Sequence, residues 1–354
     1  LCNIAIDHAP EESYPDLSVE DLVPDDLLRD LTDAAIPKRK KSATPSPVED
    51  HADKVPDEKC SVFGWELLPP ADDAPYGRFQ LQVPWKGQER PTSDGNQRCL
   101  RRAVATDARL TPLQRSDYLD VFSSLFENHF VDTGSSDVVH LVPSMPVFRE
   151  HAASTRVRLV LDPSQELNPL CHSGPAASDD YLGCSLLANL HLSRVAPFII
   201  TGDISKAFHR ISICSQDRPY FGMVFRIGHD LVTAKWRVLI FGANFAPSAL
   251  TQALCGCVVL ADYDSGYLSR EEARQLDPVV AQVIDTFDDN RASGDSAATD
   301  PASSELPPQF RGKVSIYVDD TQSRGDDIRS VTRCADALDL SLERHGFPSN
   351  VLKR

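Results

Sequence analysis

Three aspartates follow two short apolar runs of this 354-residue chain. Asp203 follows residues 198–202, and Asp319 and Asp320 follow residues 314–318. Both runs are rich in branched and aromatic residues, so each predicts a buried β-strand that presents carboxylates at the rim of a sheet. Carboxylates gathered at one edge repel one another, so such a cluster persists where a cation neutralises it.

Carboxylates in this arrangement suit metal-assisted chemistry on phosphates. Hard divalent cations such as Mg²⁺ prefer carboxylate oxygens and keep waters and substrate phosphates in the rest of their coordination shell. Two such ions, about 3.5–4 Å apart, activate an attacking oxygen and stabilise a leaving one. The acids therefore indicate phosphoryl or nucleotidyl transfer. An Asp-Asp pair is also common in plain turns, and this alternative stays open when the acids are taken alone.

The elements that must position these acids follow from the periodicity of apolar residues. Strands are predicted over residues 78–84, 156–162, 197–203 and 314–318, and a hairpin over residues 221–227 and 233–240. Helices are predicted over residues 110–129, 181–194, 247–260 and 326–344, the last closed by Gly346. This mixed order predicts an α+β fold in which an antiparallel sheet carries helices on one face.

The charge of the chain divides into acidic and nearly neutral segments. Its 36 basic and 52 acidic residues give a net charge of −16, which by itself argues against a nucleic-acid partner. Residues 1–75, however, hold 7 basic and 18 acidic residues, a charge of −11, and residues 251–312 hold 4 and 11, a charge of −7. Because the rest is neutral or slightly basic, the charge does not exclude a nucleic-acid-binding core.

Both acidic segments contain stretches that predict disorder. Residues 1–75 are rich in Asp, Glu and Pro and poor in aromatics, so they are expected to form a disordered acidic linker. The basic run at residues 38–41 fits either a solvated part of that linker or a nuclear-import signal. Residues 288–308 predict a flexible acidic surface insertion. The ordered domain is therefore expected over residues 76–354.

Cysteine usage and hydropathy exclude further classes of protein. The nine cysteines show neither a disulfide framework nor zinc-ligand spacing, which favours an intracellular setting. No run approaches the roughly 18 apolar residues of a membrane helix, so no membrane partner is expected. The chain begins at Leu1 without a signal peptide, and we expect it to be a piece of a longer product.

Two motifs together resemble the catalytic palm motifs of reverse transcriptases. They are Asp-Ile-Ser-Lys-Ala-Phe at residues 203–208 and Tyr-Val-Asp-Asp at residues 317–320. Further segments look like other parts of that domain: residues 156–162, Leu167-Asn168, Phe241-Gly242, Pro247-Ser248 and Gly346-Phe347. The wider pattern is similar to LTR retrotransposons of the BEL/Pao type, on residues 77–79, 83–86, 145–147 and 158–164.

The resemblance implies both a fold and an activity for residues 76–354. The fold would be the fingers and palm of a right-hand polymerase, with an antiparallel palm sheet backed by helices, truncated before the thumb. The activity would be that of an RNA-directed DNA polymerase, a metal-dependent nucleotidyltransferase that adds dNTPs to a primer 3′-hydroxyl on an RNA or DNA template. The protein would work in a cytoplasmic particle or in the nucleus.

The same resemblance implies cofactors, partners and metal ligands. Asp203, Asp319 and Asp320 would hold two Mg²⁺ ions, with Mn²⁺ as a substitute. Asp320 is expected to tolerate change best of the three, and Ile204 would lend its backbone carbonyl. The partners would be an RNA or DNA template-primer, dNTPs, and the RNase H and integrase segments of a Pol polyprotein.

Five residues would contact the nucleotide or the primer, by the same resemblance. Arg158 would bind the triphosphate, and Arg149 would assist it or be a solvated loop arginine. Phe208 would exclude a 2′-hydroxyl beneath the sugar, or be an ordinary core phenylalanine. Gly242 would allow close approach to the nucleotide, or be a plain turn glycine. Tyr317 would lie near the primer end.

The chain also departs from the family pattern and carries a competing motif. Lys353 stands further from Gly346 than the family's lysine, which puts its role as a proton donor to pyrophosphate in doubt. Asp132-Thr133-Gly134 matches the loop of aspartic proteases, in which two aspartates share a proton, so a homodimer would be required. A surface turn is the simpler interpretation of that motif. A catalytically inactive relic of a retroelement is a third hypothesis.

Overall fold

The computed structural model of the chain describes residues 63–133, 137–149, 156–174, 191, 193–293 and 308–350, all within the unit Pro56–Arg354. Its strands are β1 (Gly64–Leu67), β2 (Phe79–Gln82), β3 (Val131–Thr133), β4 (Ser144–Phe148), β5 (Val157–Leu161), β6 (Phe198–Asp203), β7 (Ser212–Ile213), β8 (Gly222–Ile227), β9 (Asp230–Trp236), β10 (Val314–Tyr317) and β11 (Asp320–Gly325). Its α-helices are α1 (Asn96–Asp107), α2 (Pro112–Glu127), α3 (Ala246–Asp264), α4 (Arg270–Leu276), α5 (Pro278–Ser293) and α6 (Ile328–Glu343). Short 3₁₀-helices span Asn168–Leu170, Ala207–Arg210 and Arg218–Tyr220.

The described strands form small sheets between the helices, so the α+β fold class is confirmed. The sheet orders are β1-β2-β7, β10-β11-β6 and β3-β9-β8, with β4 and β5 as a separate pair. The pairs within these sheets are antiparallel, except that β2 and β7 run parallel. Among the described residues, no helix is long and apolar enough to cross a membrane.

The sheet β10-β11-β6 carries the three aspartates. Strands β10 and β11 form a hairpin whose loop is Val318 and Asp319, and β6 pairs with the other side of β11. One face of the sheet buries Val314, Ile316 and Ser323. Helices α6 and α3 pack against this sheet, as the expectation of a helix-backed sheet required. The opposite face carries Tyr317 and Asp320, which are exposed at the end of the sheet near the hairpin loop.

Local signals explain where the helices begin. Thr111 caps α2 by accepting a hydrogen bond from the backbone N–H of Gln114, whose side chain reciprocates. Asp327 caps α6 by accepting from the Ser330 N–H at 2.8 Å. Both helices lie within the ranges predicted from the sequence, because capping residues and apolar periodicity are local features that need no distant partner.

Helix α3 is the central element of the core. Its residues are mostly small or branched, and Leu250, Leu254 and Val258 are fully buried. A helix that is apolar on every side belongs inside a protein, where other elements surround it. Its buried Gln252 accepts a hydrogen bond from the Trp65 indole at 3.4 Å, so this polar residue has a structural role.

The boundary expected at residue 75 is wrong, because the ordered core begins earlier. Phe63 and Trp65 are only 1% and 4% exposed, and β1 pairs with β2. The Trp65 backbone N–H also donates to the Gln282 side chain at 3.0 Å. Disorder was predicted here because the segment is acidic overall and these few aromatic residues were outweighed by its composition. Residues 1–62 of the expected linker lie outside the described part of the chain.

The expected insertion at residues 288–308 also overlaps a helix. Helix α5 continues to Ser293, and its buried Asn290 donates to the carbonyl of Leu68 at 3.1 Å. This contact ties the acidic end of α5 to the loop after β1. Residues 294–307 lie outside the described residues, as does most of the helix predicted at residues 181–194.

Two further strand predictions differ from the structure. Strand β6 was expected to be buried, but it lies at the edge of its sheet, and Phe198 and Thr201 are exposed. The second strand of the predicted hairpin is Asp230–Trp236 rather than residues 233–240, because Gly228 and His229 alone form the turn. Gly228 has a φ of +61°, which suits a tight two-residue hairpin loop.

Candidate active site

Asp203 and Asp320 lie directly opposite each other on neighbouring strands. They are Cα partners in the β6–β11 pair, and Tyr317 is the partner of Asp320 in the β10–β11 pair. Directly opposed residues point to the same face of a sheet, with Cβ atoms about 4.5–5.5 Å apart. Tyr317, Asp320 and Asp203 therefore form one row across the sheet. Like charges in direct opposition destabilise a sheet, so this pair favours a nearby cation.

Asp319 lies in the adjoining hairpin loop and is connected to the end of β6. The backbone N–H of Ile204 donates to the carbonyl oxygen of Asp319 at 3.2 Å. The two segments that carry the acids therefore meet, as expected from the resemblance. Ile204 itself is buried, with 3% of its surface exposed, so it anchors the end of the strand in the core.

The hairpin loop holds Val318 in an unfavourable backbone conformation. Its φ is +58°, a region that β-branched residues rarely adopt. Such a conformation costs about 1–3 kcal/mol, and it persists only where the surrounding structure enforces it. Here the half-buried Val318 packs against the core beside Asp319. The tight loop places Asp319 and Asp320 at the rim of the sheet, and strain of this kind is concentrated at functional sites.

Asn350 contacts Asp203 and was missed by the sequence analysis. Its backbone N–H donates to the Asp203 carbonyl at 2.7 Å, and its side-chain Nδ2 donates to Asp203 Oδ2 at 3.1 Å. The two residues are 147 positions apart, so no local spacing could have indicated the contact. The turn at Gly346, with a φ of +78°, brings the chain back towards β6 after α6 ends.

The donor set at this edge fits Mg²⁺ in chemistry but is not a preformed cage. Among the described residues, no group of three or more His, Cys, Asp or Glu side chains is placed to hold a metal ion. Protein-bound Mg²⁺, however, is usually held by one or two carboxylates, and substrate phosphates and waters complete its shell. The opposed pair Asp203 and Asp320, with Asp319 in the next turn, provides carboxylates of this kind.

Phe208 lies on the 3₁₀-helix that follows β6, close to the site. The preceding Lys206 adopts a φ of +53°, which starts this helix immediately after the strand. The half-buried Phe208 ring meets Phe241 edge to face, with centroids 5.3 Å apart and planes at 90°. Phe241 is 62% exposed. The aromatic pair therefore links the core to the surface, and both interpretations of Phe208 remain open.

Other side chains of the same 3₁₀-helix have structural roles. The Lys206 ammonium group donates to the Ser124 hydroxyl at 3.3 Å and lies 5.4 Å from the centre of the Phe130 ring. Burial and the neighbouring Arg210 guanidinium lower the pKa of Lys206. His209 stacks on Trp236, and burial lowers its pKa to about 4. These contacts fix the 3₁₀-helix against α2 and β9.

Gly242 is required by the packing of its loop. Its φ is +102°, and an added Cβ would lie 2.8 Å from the carbonyl oxygen of Leu161, at the end of β5. The side chain of Asn168 joins the same two segments by donating to Gly242 O at 3.1 Å and accepting from the Asn244 N–H at 2.9 Å. The glycine thus allows two backbone segments to approach each other closely.

Arg158 and Arg149 lie on the β4–β5 hairpin, which is a separate pair of strands from the sheet that carries the acids. Arg158 is exposed on β5, opposite Val147, and Arg149 follows β4 with its N–H bonded to the carbonyl of Arg156 at 2.7 Å. Among the described residues, neither guanidinium is in an ion pair. The structure does not bring either arginine into contact with Asp203, so their nucleotide roles remain predictions.

The protease motif is only partly described. Asp132 and Thr133 belong to β3, so the interpretation of this motif as a surface turn is wrong for these two residues. The Asp132 carboxylate lies 3.5 Å from the Arg237 guanidinium, and Asp132 is the Cα partner of Lys235. Gly134 lies outside the described residues, and so does Lys353, the possible proton donor.

Comparison with known proteins leaves the family open. The chain matches none of the models of known protein families, and a search of curated proteins also finds no match. The geometry of the site and the motifs of the sequence are therefore the grounds for a function.

Proposed function

We propose that residues 63–354 form the fingers and palm of an RNA-directed DNA polymerase, similar to those of BEL/Pao-type LTR retrotransposons. The observation that carries this proposal is the cross-strand pairing of Asp203 with Asp320, with Asp319 in the strained loop between β10 and β11. Two motifs that are far apart in the chain thereby present carboxylates at one edge of a helix-backed sheet. Carboxylates gathered in this way would hold the divalent cations of a metal-assisted nucleotidyl transfer.

The acids would act as ligands for divalent cations. Asp203 and Asp319, with Asp320 as the less critical third acid and the Ile204 carbonyl beside them, would hold two Mg²⁺ ions. When bound, the ions would activate the primer 3′-hydroxyl and neutralise charge on the leaving pyrophosphate. The chain's own contribution is to fix the carboxylates: β6 is paired with β11, and Ile204 N–H is bonded to Asp319 O.

The remaining residues would bind and select the nucleotide. Arg158, with Arg149 on the same hairpin, would provide an exposed planar guanidinium, which suits triphosphate oxygens. Phe208 would lie beneath the sugar and exclude a 2′-hydroxyl. Gly242 would hold its loop against β5, and the exposed Tyr317 would lie beside the primer end. The partners are an RNA or DNA template-primer, dNTPs and other Pol segments.

Primer extension with charge-removing variants, made in a chain extended through the thumb, tests this proposal, because the activity of the truncated chain alone is not expected to report on the acids. On poly(rA)/oligo(dT) with Mg²⁺ and dTTP, Asp203→Asn and Asp319→Asn should each reduce extension more than about 100-fold. That exceeds the loss usual for residues that only support a metal ligand. Asp320→Asn should cost less. The matched control is Asp326→Asn, which removes the same charge from an exposed residue that follows β11.

Two results would contradict the proposal in different ways. Equal extension by Asp203→Asn and by the unsubstituted chain would eliminate the proposed role of the acids. A folded chain that neither extends a primer nor binds template-primer in a fluorescence-anisotropy titration would instead support the inactive relic.

A further inference from the structure

The segment after α6 lies antiparallel to the end of β6. The Ser205 N–H donates to the Pro348 carbonyl at 2.9 Å, and Ile204 and Ser349 form an isolated antiparallel bridge. The Asn350 N–H completes the pairing by donating to the carbonyl of Asp203 at 2.7 Å. Residues 348–350 therefore pair with residues 203–205, the segment that begins with Asp203.

Two further contacts hold residues 347–350 in place. Phe347 is fully buried in the core. The Ser349 hydroxyl donates to Asp339 Oδ1 on α6 at 2.6 Å. Because the backbone on both sides of Ser349 is fixed, the Asn350 side chain reaches Asp203 from a rigid position.

The amide of Asn350 bonds the carboxylate itself. Its Nδ2 donates to Asp203 Oδ2 at 3.1 Å. A hydrogen bond to one carboxylate oxygen restricts rotation of the group and so fixes the direction in which Asp203 faces a cation. The donor is neutral, so it orients Asp203 without cancelling the negative charge that attracts the metal. A lysine or arginine at this position would cancel that charge.

We infer that Asn350 is a positioning residue for Asp203, a role that rests on the proposed function. It presents the carboxylate to the divalent cation in one orientation. Removal of a partner that orients a metal ligand typically lowers metal affinity or activity by about 10–100-fold. Asn350→Asp would place a second carboxylate against Asp203, and the repulsion between them should misdirect the ligand.

Mn²⁺ binding gives a test that does not depend on polymerisation. Titration of the full chain with Mn²⁺, followed by electron paramagnetic resonance of the free ion, should show affinity about 10–100-fold weaker in Asn350→Ala. Asn350→Gln, which keeps an amide donor, should recover part of the loss. In primer extension, Asn350→Ala should lower kcat and raise the Mg²⁺ concentration for half-maximal rate, while KM for dTTP stays nearly unchanged.

Asn128→Ala is the matched control, because it removes the same amide group from an exposed asparagine whose Nδ2 donates to the Ser124 carbonyl instead. It should keep the Mn²⁺ affinity and Mg²⁺ dependence of the unsubstituted chain. The inference is overturned if Asn350→Ala binds Mn²⁺ normally, or if Asn128→Ala weakens binding as much. An unsubstituted chain that is extended through the thumb and binds Mn²⁺ but extends no primer contradicts the polymerase proposal, and the Asn350 comparison still stands on the binding data.

Discussion

The Phe208 side chain connects the core to the exposed Phe241, beside the proposed nucleotide site. Phe208 follows Asp203 by five residues on a 3₁₀-helix, and its ring packs against the exposed Phe241. A ring in this position can have two roles: it can support the loop at Phe241, or it can select the sugar of a bound nucleotide. The two roles predict different responses to truncation.

Truncation of Phe208 should relax sugar selection. In Phe208→Ala, loss of the ring beneath the sugar is expected to let ribonucleotides be incorporated, so the ratio of dTTP to UTP extension efficiency should fall. Phe241→Ala is the control, because it breaks the same aromatic contact by removing the exposed ring and leaves Phe208 in place. An unaltered ratio in Phe208→Ala, or an equal fall in both variants, would assign Phe208 a packing role only.

At the scale of elements, the loop after β9 is held against the end of β5. Gly242 approaches the carbonyl of Leu161, and Asn168 and Asn244 bond across the same contact. The Asn244 amide group also donates to the carbonyls of Asn168 and Cys171, both at 3.1 Å. The two segments that the resemblance assigns to the nucleotide therefore form one hydrogen-bonded unit.

Gly242→Ala should separate these segments. The added methyl group clashes with backbone, and a positive φ at a non-glycine residue alone costs about 1–3 kcal/mol. The free energy of unfolding, from equilibrium urea denaturation, should fall by more than this amount. Gly228→Ala measures the conformational cost alone, because Gly228 has a φ of +61° with open space around it. Equal losses in both variants would show that the β5 contact contributes nothing.

At the scale of the whole molecule, His345 joins elements from both ends of the described chain. Its side chain is 2% exposed, and Nδ1 donates to the Gly77 carbonyl at 3.1 Å. Its ring packs against Phe79 of β2 and Phe287 of α5. Burial lowers the pKa of His345 to about 4, although the Gly77 carbonyl opposes this effect.

The buried His345 should make the fold sensitive to acid. The unfolded chain protonates this imidazole near its ordinary pKa of 6.5, and the folded chain does so only near 4. The stability that neutral His345 provides is therefore complete above pH 6.5 and is lost as the pH falls towards 4, on the order of 3 kcal/mol in all. Burial of Asp277 acts in the opposite direction, because it raises that pKa to about 6.

Comparison of variants isolates the histidine from the other titrating groups. The free energy of unfolding measured between pH 7 and pH 4 should decline less steeply in His345→Gln than in the unsubstituted chain. His229→Gln, which changes an exposed residue of the β8–β9 turn, should leave the slope unchanged. A slope in His345→Gln equal to that of the unsubstituted chain would contradict the prediction.

Elements whose signals are local could be predicted from the amino-acid sequence. Helix α2 has its capping residues and apolar spacing within one segment, and β5 is a short run of branched residues. Strand β10 is likewise a short apolar run, whereas β11, which pairs with it, was not predicted. The sequence also placed an acid at the end of each strand, and the resemblance supplied the expectation that these acids meet.

Only the tertiary structure decided which distant residues are partners. The register that sets Asp203 opposite Asp320, the membership of β1 in the core, and the contact of Asn350 with Asp203 all join segments that are far apart in the chain. Such contacts arise when the packing of helices α3 and α6 against the sheet fixes where each strand end lies. No periodicity within a window of residues encodes them, because they depend on how the whole core packs.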